Sequence, residues 1–389
     1  MHNTAQSYGT IARSLHWLMA LLVLSAFALG LYSSDLPTNT AQAAAHKALF
    51  FSLHKTTGVA IFFTALIRIA YAFSQPRPTA LHPDRTLETF AAEATHWTLY
   101  ISLLAVPLAG WVHHAATTGF APILWPLPQD LPFVPKSQSV AIAAAILHWI
   151  FSFLLGATIA LHIAGALKHV VIDRDHTLNR MLRGTPAGGA ATRHSLLPLL
   201  AAAAIYAAAA GIAIAVIPPP QDTSSQIATT TTGNWQVTTG TLGFTVKQMG
   251  ADVQGSFATW SAEITFDPEA PTGNHVAVSI DTTSLSLGSV TAQAKEPEFF
   301  DITAHPSANF TADITPEGTN HIATGTLTLR GITKPITLPF SLKIDGDTAT
   351  MQGTTTLDRR DFGMGPSYPD QATVGFPVTV TVALTATRK

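Results

Sequence analysis

The stretch SVAIAAAILHWIFSFLLGATIALHIAGALKHVVID (Ser139–Asp173) decides how the first half of this chain folds. It carries no charged residue before Lys168, yet it holds His148 and His162. An apolar run of this length is long enough to cross a bilayer as a helix. Ionisable side chains inside such a span are rare and are functional candidates by default. His162 follows His148 by fourteen residues, which on a helix is about 21 Å along the axis and about 40° around it. One helix therefore offers two sites at two depths on one face.

The rest of the first half supplies further spans. Apolar runs cover about Leu15–Tyr32, Ala48–Phe73, Thr95–Val112 and Leu196–Ile217, each long enough to cross with some tilt. The start of the chain lacks a basic region followed by a cleavage site, so the first run is expected to be a retained helix. Charged residues make up only 11% of the 389 residues, against roughly 25% in soluble domains. The absence of cysteine excludes thiolate metal sites, disulfides and c-type haem attachment. The formal charge of −2 gives no footing for nucleic-acid binding.

Lysine and arginine set the orientation. Arg13, then Arg77 and Arg85, then Lys168, Arg174, Arg180, Arg183 and Arg193 fall in one set of segments; the alternate set carries little beyond Lys47 and Lys136. The first set is expected in the cytoplasm, which puts the amino terminus inside and the chain beyond Pro218 in the periplasm of a bacterium. Depth then sorts the histidines. His54 and His148 lie on the outer side; His16, His96 and His162 lie on the inner side. A b-type haem takes two neutral imidazoles from different helices at one depth. His54 with His148 gives an outer site and His16 with His162 an inner one, for which His96 competes. His46, His113 and His114 sit near helix ends and are expected to be solvated. His169, two turns beyond His162, is placed to meet a quinone or a haem propionate.

The segments ARSLHWLMALLV, SLHKTTGVAIFFTALIRI, ATHWTLYISLLAVPLAGW and LHWIFSFLLGATIALHIAGALKH resemble the four core helices of the bacterial cytochrome b561 family. The resemblance covers about 8–185. It implies a four-helix transmembrane bundle with two b-type haems, passing electrons between membrane quinone and a partner on the outer side. Some members oxidise superoxide and reduce ubiquinone. It also supports His16, His54, His148 and His162 as iron ligands. Arg68 and Lys55 become candidates for pairing with propionates, against simple snorkelling at helix ends.

The fifth run, 196–217, has no histidine and is expected to be an extra transmembrane helix that tethers the second half of the chain. Residues 218–232 read as a Pro- and Thr-rich linker. From Gly233 the period changes to two. Phe244 and Val246; Val276, Val278 and Ile280; Leu338, Phe340, Leu342 and Ile344; and Val378, Val380, Val382 and Leu384 alternate with polar neighbours. Turn signals at Asp267-Pro268, Pro316-Glu317-Gly318 and Asp345-Gly346 separate the runs. An all-β antiparallel domain over 233–389 is expected, and closure into a barrel would remove its exposed edges. The blocks EPEFFDITAHPSANF, TGTLTLRGITKPITLPF and RRDFGMG resemble the YceI-like family. That resemblance implies a lipocalin-like barrel enclosing an isoprenoid chain such as a polyprenyl quinone. Phe299, Phe300 and Phe310 are then either pocket wall or ordinary core, and Asp301, His305 and Arg330 barrel-end hydrogen-bonding groups.

Together these readings describe an inner-membrane electron-transfer protein with a periplasmic lipid-binding barrel. Two alternatives stand beside it: a quinone or lipid carrier whose haem bundle senses redox state, and a stress-related binding protein whose bundle has lost haem.

Overall fold

The computed structural model describes residues 2–79, 81–82, 84–117, 121–124, 129–186, 195–217, 226–227, 232–270 and 272–389. The chain forms two compact units: Met1–Asp35, Leu49–Thr117 and Ile123–Pro219; and Leu36–Ala48, Thr118–Pro122 and Pro220–Lys389. Arg193, the Pro218–Pro220 breaker and most of the expected linker lie outside the described residues.

The first unit is helical. Its long helices are α1 (Thr10–Asp35), α2 (Ala41–Phe73), α3 (Thr86–Ala116), α4 (Gln138–Lys168) and, after the short α5 (Thr177–Leu182), α6 (Leu197–Val216). All but α5 are long and apolar enough to cross a membrane. Helices α2 and α3 start seven and nine residues before the apolar runs that mark them in the sequence. Their first turns are polar or alanine-rich, which hydropathy reads as loop although alanine and glutamate form helix well. Met19, Val23 and Ala26 of α1, Ile61 and Ala65 of α2, Leu103 and Val106 of α3, and Leu155 of α4 share one buried cluster. Large apolar side chains, among them Leu21, Leu31, Trp149, Phe153, Leu161 and Ile214, stay on the outside. Water would penalise that surface; lipid does not.

Helix α6 does more than carry the chain onward. It packs on α3 and α4, with Ala202 and Ala213 fully buried. The Tyr206 hydroxyl donates to Ser102 Oγ of α3, and its ring meets Phe151 of α4 at 5.0 Å between centroids. Tyr206→Phe is expected to weaken the docking of α6 by about 0.6–1.7 kcal/mol. Detergent unfolding of wild type and variant measures it, and an unchanged midpoint would make the bond irrelevant to docking.

The start of α1, the connection after α2 and the short α5 meet within this unit. Arg13 Nη1 donates to the Leu182 carbonyl (2.8 Å), Trp17 Nε1 to Met181 (3.1 Å) and Arg180 Nη2 to Thr79 (2.8 Å). Helix α4 leaves through a π-helical turn, His169–Asp173, and Arg174 adopts a left-handed conformation at φ 53°.

The second unit is an antiparallel barrel. Its strands are β1 (Gln226–Ile227), β2 (Trp235–Gln248), β3 (Ala251–Phe257), β4 (Thr259–Thr265), β5 (His275–Asp281), β6 (Leu285–Ser286), β7 (Ser307–Glu317), β8 (Asn320–Leu329), β9 (Ile332–Asp345), β10 (Thr348–Asp358) and β11 (Val374–Arg388). Strands β3 and β4 are one path interrupted at Ala258. Leu242↔Phe257 on β3 and Trp235↔Ile264 on β4 keep a single register against β2. From β4 the ladder runs β5, β7, β8, β9, β10 and β11 and returns to β2, closing eight strands into a ring. Closure leaves no long edge exposed. The period-two residues named from the sequence point inward and join the barrel core, because alternate residues of a strand face the same side. Trp235, only 1% exposed, donates Nε1–H to the Phe266 carbonyl at 2.9 Å and pins the seam. The segment Leu36–Ala48 belongs to this unit: Ala41 N–H donates to the Ser367 carbonyl (3.0 Å), and the Tyr368 hydroxyl to Thr38.

Candidate functional site

Two imidazole pairs occupy the interior of the helical unit. His54 of α2 and His148 of α4 have ring centroids 6.2 Å apart, with planes crossed at 85°. His16 of α1 and His162 of α4 lie 6.1 Å apart at 62°. A metal held between two imidazoles at roughly 2.0 Å from each nitrogen separates the centroids by about 6.3 Å. Both pairs have that spacing. His96 of α3 approaches His162 more closely, at 5.2 Å, too near for the two rings to take opposite sides of one metal.

The His54–His148 pair is built by one device used twice. His54 Nδ1 donates to the Ala26 carbonyl at 2.8 Å, and His148 Nδ1 to the Val106 carbonyl at 2.9 Å. Four residues on from each carbonyl stands a glycine. A Cβ on Gly30 would lie 2.9 Å from His54 Cε1, and one on Gly110 would lie 2.9 Å from His148 Nδ1. Each ring sets its Nδ1–Cε1 edge against a helix at a point where a Cβ would crowd it. With the proton fixed on Nδ1, the Nε2 lone pair remains for a metal, the usual arrangement behind a ligating histidine. The donor set and its cradles fit a bis-imidazole metal. Neither glycine was singled out from sequence, although lone glycines inside apolar helices, four residues after a carbonyl a ring can reach, were the available signal.

The surroundings of His16 and His162 are assembled differently. Arg68 Nη2 donates to His16 Nδ1 at 3.2 Å, and its guanidinium lies 5.5 Å from the Tyr100 ring centroid. Three histidines and one arginine thus share this pocket. Lys55, beside His54 in sequence, donates Nζ–H to His114 Nδ1 at 3.1 Å, and His114 Nε2 bonds Gln129 Oε1. His114 is only 6% exposed. The expectation of a solvated helix-end histidine is corrected: α3 runs on to Ala116, so His114 stays inside the bundle between Lys55 and Gln129. His113 is partly buried too, with Nδ1 donating to the Ala141 carbonyl at 2.8 Å. His169 turns to Asp175 and Asp173, at 2.7 and 3.0 Å.

The barrel holds a cavity of about 290 Å³. Phe244, Val278, Phe310, Leu338, Val380 and Leu384 are among its walls. Phe299 and Phe300 line it as well, so all three phenylalanines weighed from sequence face the cavity. His305 and Arg330 serve the barrel end: the His305 carbonyl accepts from Thr282 Oγ1, and Arg330 Nη2 donates to the Pro297 carbonyl at 2.8 Å.

Comparison with known proteins gives a match in each half of the chain. The family model for prokaryotic cytochrome b561 matches residues 7–184, and that for the YceI-like domain matches 234–386. Cytochrome b561 homolog 2 of Escherichia coli is 33% identical over 184 residues, covering 46% of this chain and 93% of that protein. A UPF0312 protein of Pectobacterium carotovorum is 32% identical over 131 residues, covering 31% of this chain and 68% of the relative. Among solved structures, BcnA of Burkholderia cenocepacia is similar at 29% identity and a TM-score of 0.37, covering 38% of this chain and 96% of its own.

Proposed function

Because the chain belongs to the prokaryotic cytochrome b561 family and carries a YceI-like domain, we propose that it is a multi-pass di-haem cytochrome that moves single electrons between a periplasmic partner and membrane quinone. The observation that carries this reading is the pair of imidazole couples at metal-bridging separation, 6.2 and 6.1 Å, both built on α4. His54 and His148 hold the outer haem, and His16 and His162 the inner one. Bound there, each haem supplies a one-electron iron couple. The chain's own residues do the rest. The Ala26 and Val106 carbonyls fix the tautomer of the outer ligands. The apolar wall of Met19, Leu103, Val106 and Leu155 keeps water out. Arg68 and Lys55 bring positive charge to the two pockets, where propionate carboxylates need it. His96 packs beside the inner ligands.

In this reading the amino terminus is cytoplasmic and the barrel periplasmic. The barrel's apolar cavity takes an isoprenoid chain, that of a quinone or a similar lipid. Superoxide is a chemically adequate outer donor: two superoxide ions give up one electron each and leave as dioxygen, while one quinone takes two electrons and two protons to become quinol. Tethering the barrel to the bundle raises its effective concentration there.

A reduced-minus-oxidised spectrum of the purified full-length protein is the first test. A b-type α band with two haems per chain is the expected result, and its absence sinks the proposal. Rapid mixing with superoxide and with quinol then identifies the donor. The apolar cavity favours one rival, a lipid carrier with a redox-sensing bundle. Haem reduction on the millisecond scale by either reagent would count against it. Extraction and mass spectrometry of the full-length protein test the cavity; the lipid role fails if no isoprenoid copurifies.

Gly110→Leu is expected to remove the outer haem and spare the inner, because the added side chain takes the place of the His148 ring. The measured haem-to-protein ratio should fall by roughly half. A ratio equal to wild type would show that the ring does not need its glycine.

A further inference from the structure

The electron-transfer reading leaves one cluster of metal-binding chemistry unused. His82 lies in the connection between α2 and α3, His169 opens the π-helical turn after α4, and Asp175 lies just beyond that turn. His82 Nε2 is 2.9 Å from Asp175 Oδ2, and His169 Nδ1 is 2.7 Å from the same oxygen. The two rings stack, 6.2 Å between centroids and 6° between planes. We propose that His82, His169 and Asp175 form a binding site for one divalent transition metal of the zinc type, with a fourth position left to water.

The donor chemistry suits such an ion. Two imidazole nitrogens and one carboxylate oxygen, with an open position, are a recurrent zinc set. The three donor atoms lie within 4.8 Å of one another. Metal–donor bonds of roughly 2.0–2.1 Å in a tetrahedral arrangement set donors about 3.3 Å apart, so the observed contacts need to open by only a few tenths of an ångström. Each ring then carries its proton on the other nitrogen and turns a lone pair to the ion.

A second triad shares His169: Glu88, His169 and Asp173. Its carboxylates are already neutralised. Lys168 Nζ is 2.8 Å from Glu88 and 3.0 Å from Asp173, and Arg85 Nη1 is 3.3 Å from Asp173 and 3.4 Å from Glu88. Asp175 has no lysine or arginine in ion-pair range among the described residues; its partners are the two histidines and the Thr177 N–H. Burial pushes its pKa up. The hydrogen bonds from Thr177, His82 and His169 outweigh that and hold it well below the usual carboxylate range, so it is an anion at neutral pH.

The backbone is shaped to make the meeting possible. The π turn and the left-handed Arg174 reverse the chain, and Asp175 N–H returns to the His169 carbonyl at 3.1 Å. Two residues six apart in sequence thereby reach one point, and His82 arrives there from a different connection. An ion at that point ties the entry to α3 to the exit from α4.

The test uses the full-length protein in detergent, stripped with chelator and dialysed against micromolar zinc chloride. Wild type is expected to retain about one zinc more than His82→Ala or Asp175→Asn, whose affinity at this site falls by roughly tenfold or more. Its zinc K-edge absorption should show an imidazole shell. His275→Ala, which removes the exposed His275–Asp313 pair of the barrel, should bind like wild type. A wild type that retains no zinc overturns the proposal, as does equal retention in His82→Ala and Asp175→Asn. Should His82→Ala lose its haem spectrum through misfolding, the conservative Asp175→Asn and His82→Gln variants give the same comparison.

Discussion

His148→Ala is expected to leave one b-type haem per chain in place of two, and His162→Ala to leave the other one. The two losses should be separable because α4 presents the ligands about 21 Å apart along its axis, and each has its own partner and its own surroundings. His148 is fixed by the Val106 carbonyl and the Gly110 cradle. His162 stands among His16, His96 and Arg68. Removing one imidazole therefore takes away half of a bis-imidazole site and leaves the second site intact. The reduced α band should fall by about half in each variant, and the residual bands should differ in redox midpoint because the two environments differ in charge. His54→Ala should reproduce His148→Ala, and His16→Ala should reproduce His162→Ala. His96→Ala should retain both haems, since a centroid distance of 5.2 Å to His162 is too short for the two rings to take opposite sides of one iron. Loss of both haems from a single substitution would mean that the sites are not independent. Loss of the inner haem in His96→Ala but not in His16→Ala would reassign the inner ligand.

Much of this arrangement was legible in the chain because hydropathy and period are local signals. A charge-free run containing His148 and His162 announces a membrane helix with a purpose, and strands such as Leu338–Ile344 announce which side faces a core. What escaped was settled by contacts distant in sequence. His114 reads as a helix-end histidine until Lys55, 59 residues away, and Gln129 close over it. The polar starts of α2 and α3 disguise themselves as loop because helix formation there obeys propensity and not hydropathy. Gly30 and Gly110 look like ordinary helix glycines, and only the rings of His54 and His148 give them a function. His82 and Asp175, 93 residues apart, carry no local sign that they meet. Helix α6, expected as a bare tether, has its role decided by the hydroxyl of Tyr206 and a serine on α3.

Arg359→Met is expected to destabilise the barrel by about 3–5 kcal/mol, since each buried carbonyl left without its donor costs about 1–3 kcal/mol. Arg359 is 4% exposed, yet its partners are backbone carbonyls and not a carboxylate. Nε donates to Gly375 (3.1 Å), Nη1 to Met364 (2.6 Å) and Gly365 (3.0 Å), and Nη2 to Tyr368 and to Val374 (3.2 Å). The planar fork thus ties three carbonyls of the connection from β10 to β11, those of Met364, Gly365 and Tyr368, to two at the start of β11. Gly365, at φ 67°, is part of the same fit: a Cβ there would fall 2.6 Å from Nη1. Methionine keeps much of the volume but donates nothing, so the connection must hydrate its carbonyls by moving away from the core. Lysine restores the charge without the fork and should recover only part of the loss. For a domain of this size the shift corresponds to a Tm lower by roughly 6–20 °C, readable by pulse proteolysis of the full-length protein with antibody detection of the barrel, the haem spectrum serving as the control for the helical unit. Arg360→Met is the matched comparison. Arg360 lies next in sequence, pairs with Asp358 at 2.6 Å on the barrel surface and sits over the Phe376 ring at 3.9 Å, and solvent screening limits such a pair to about 1 kcal/mol or less. A barrel that melts at the same temperature in both variants would mean that Arg359 fills space without holding the connection.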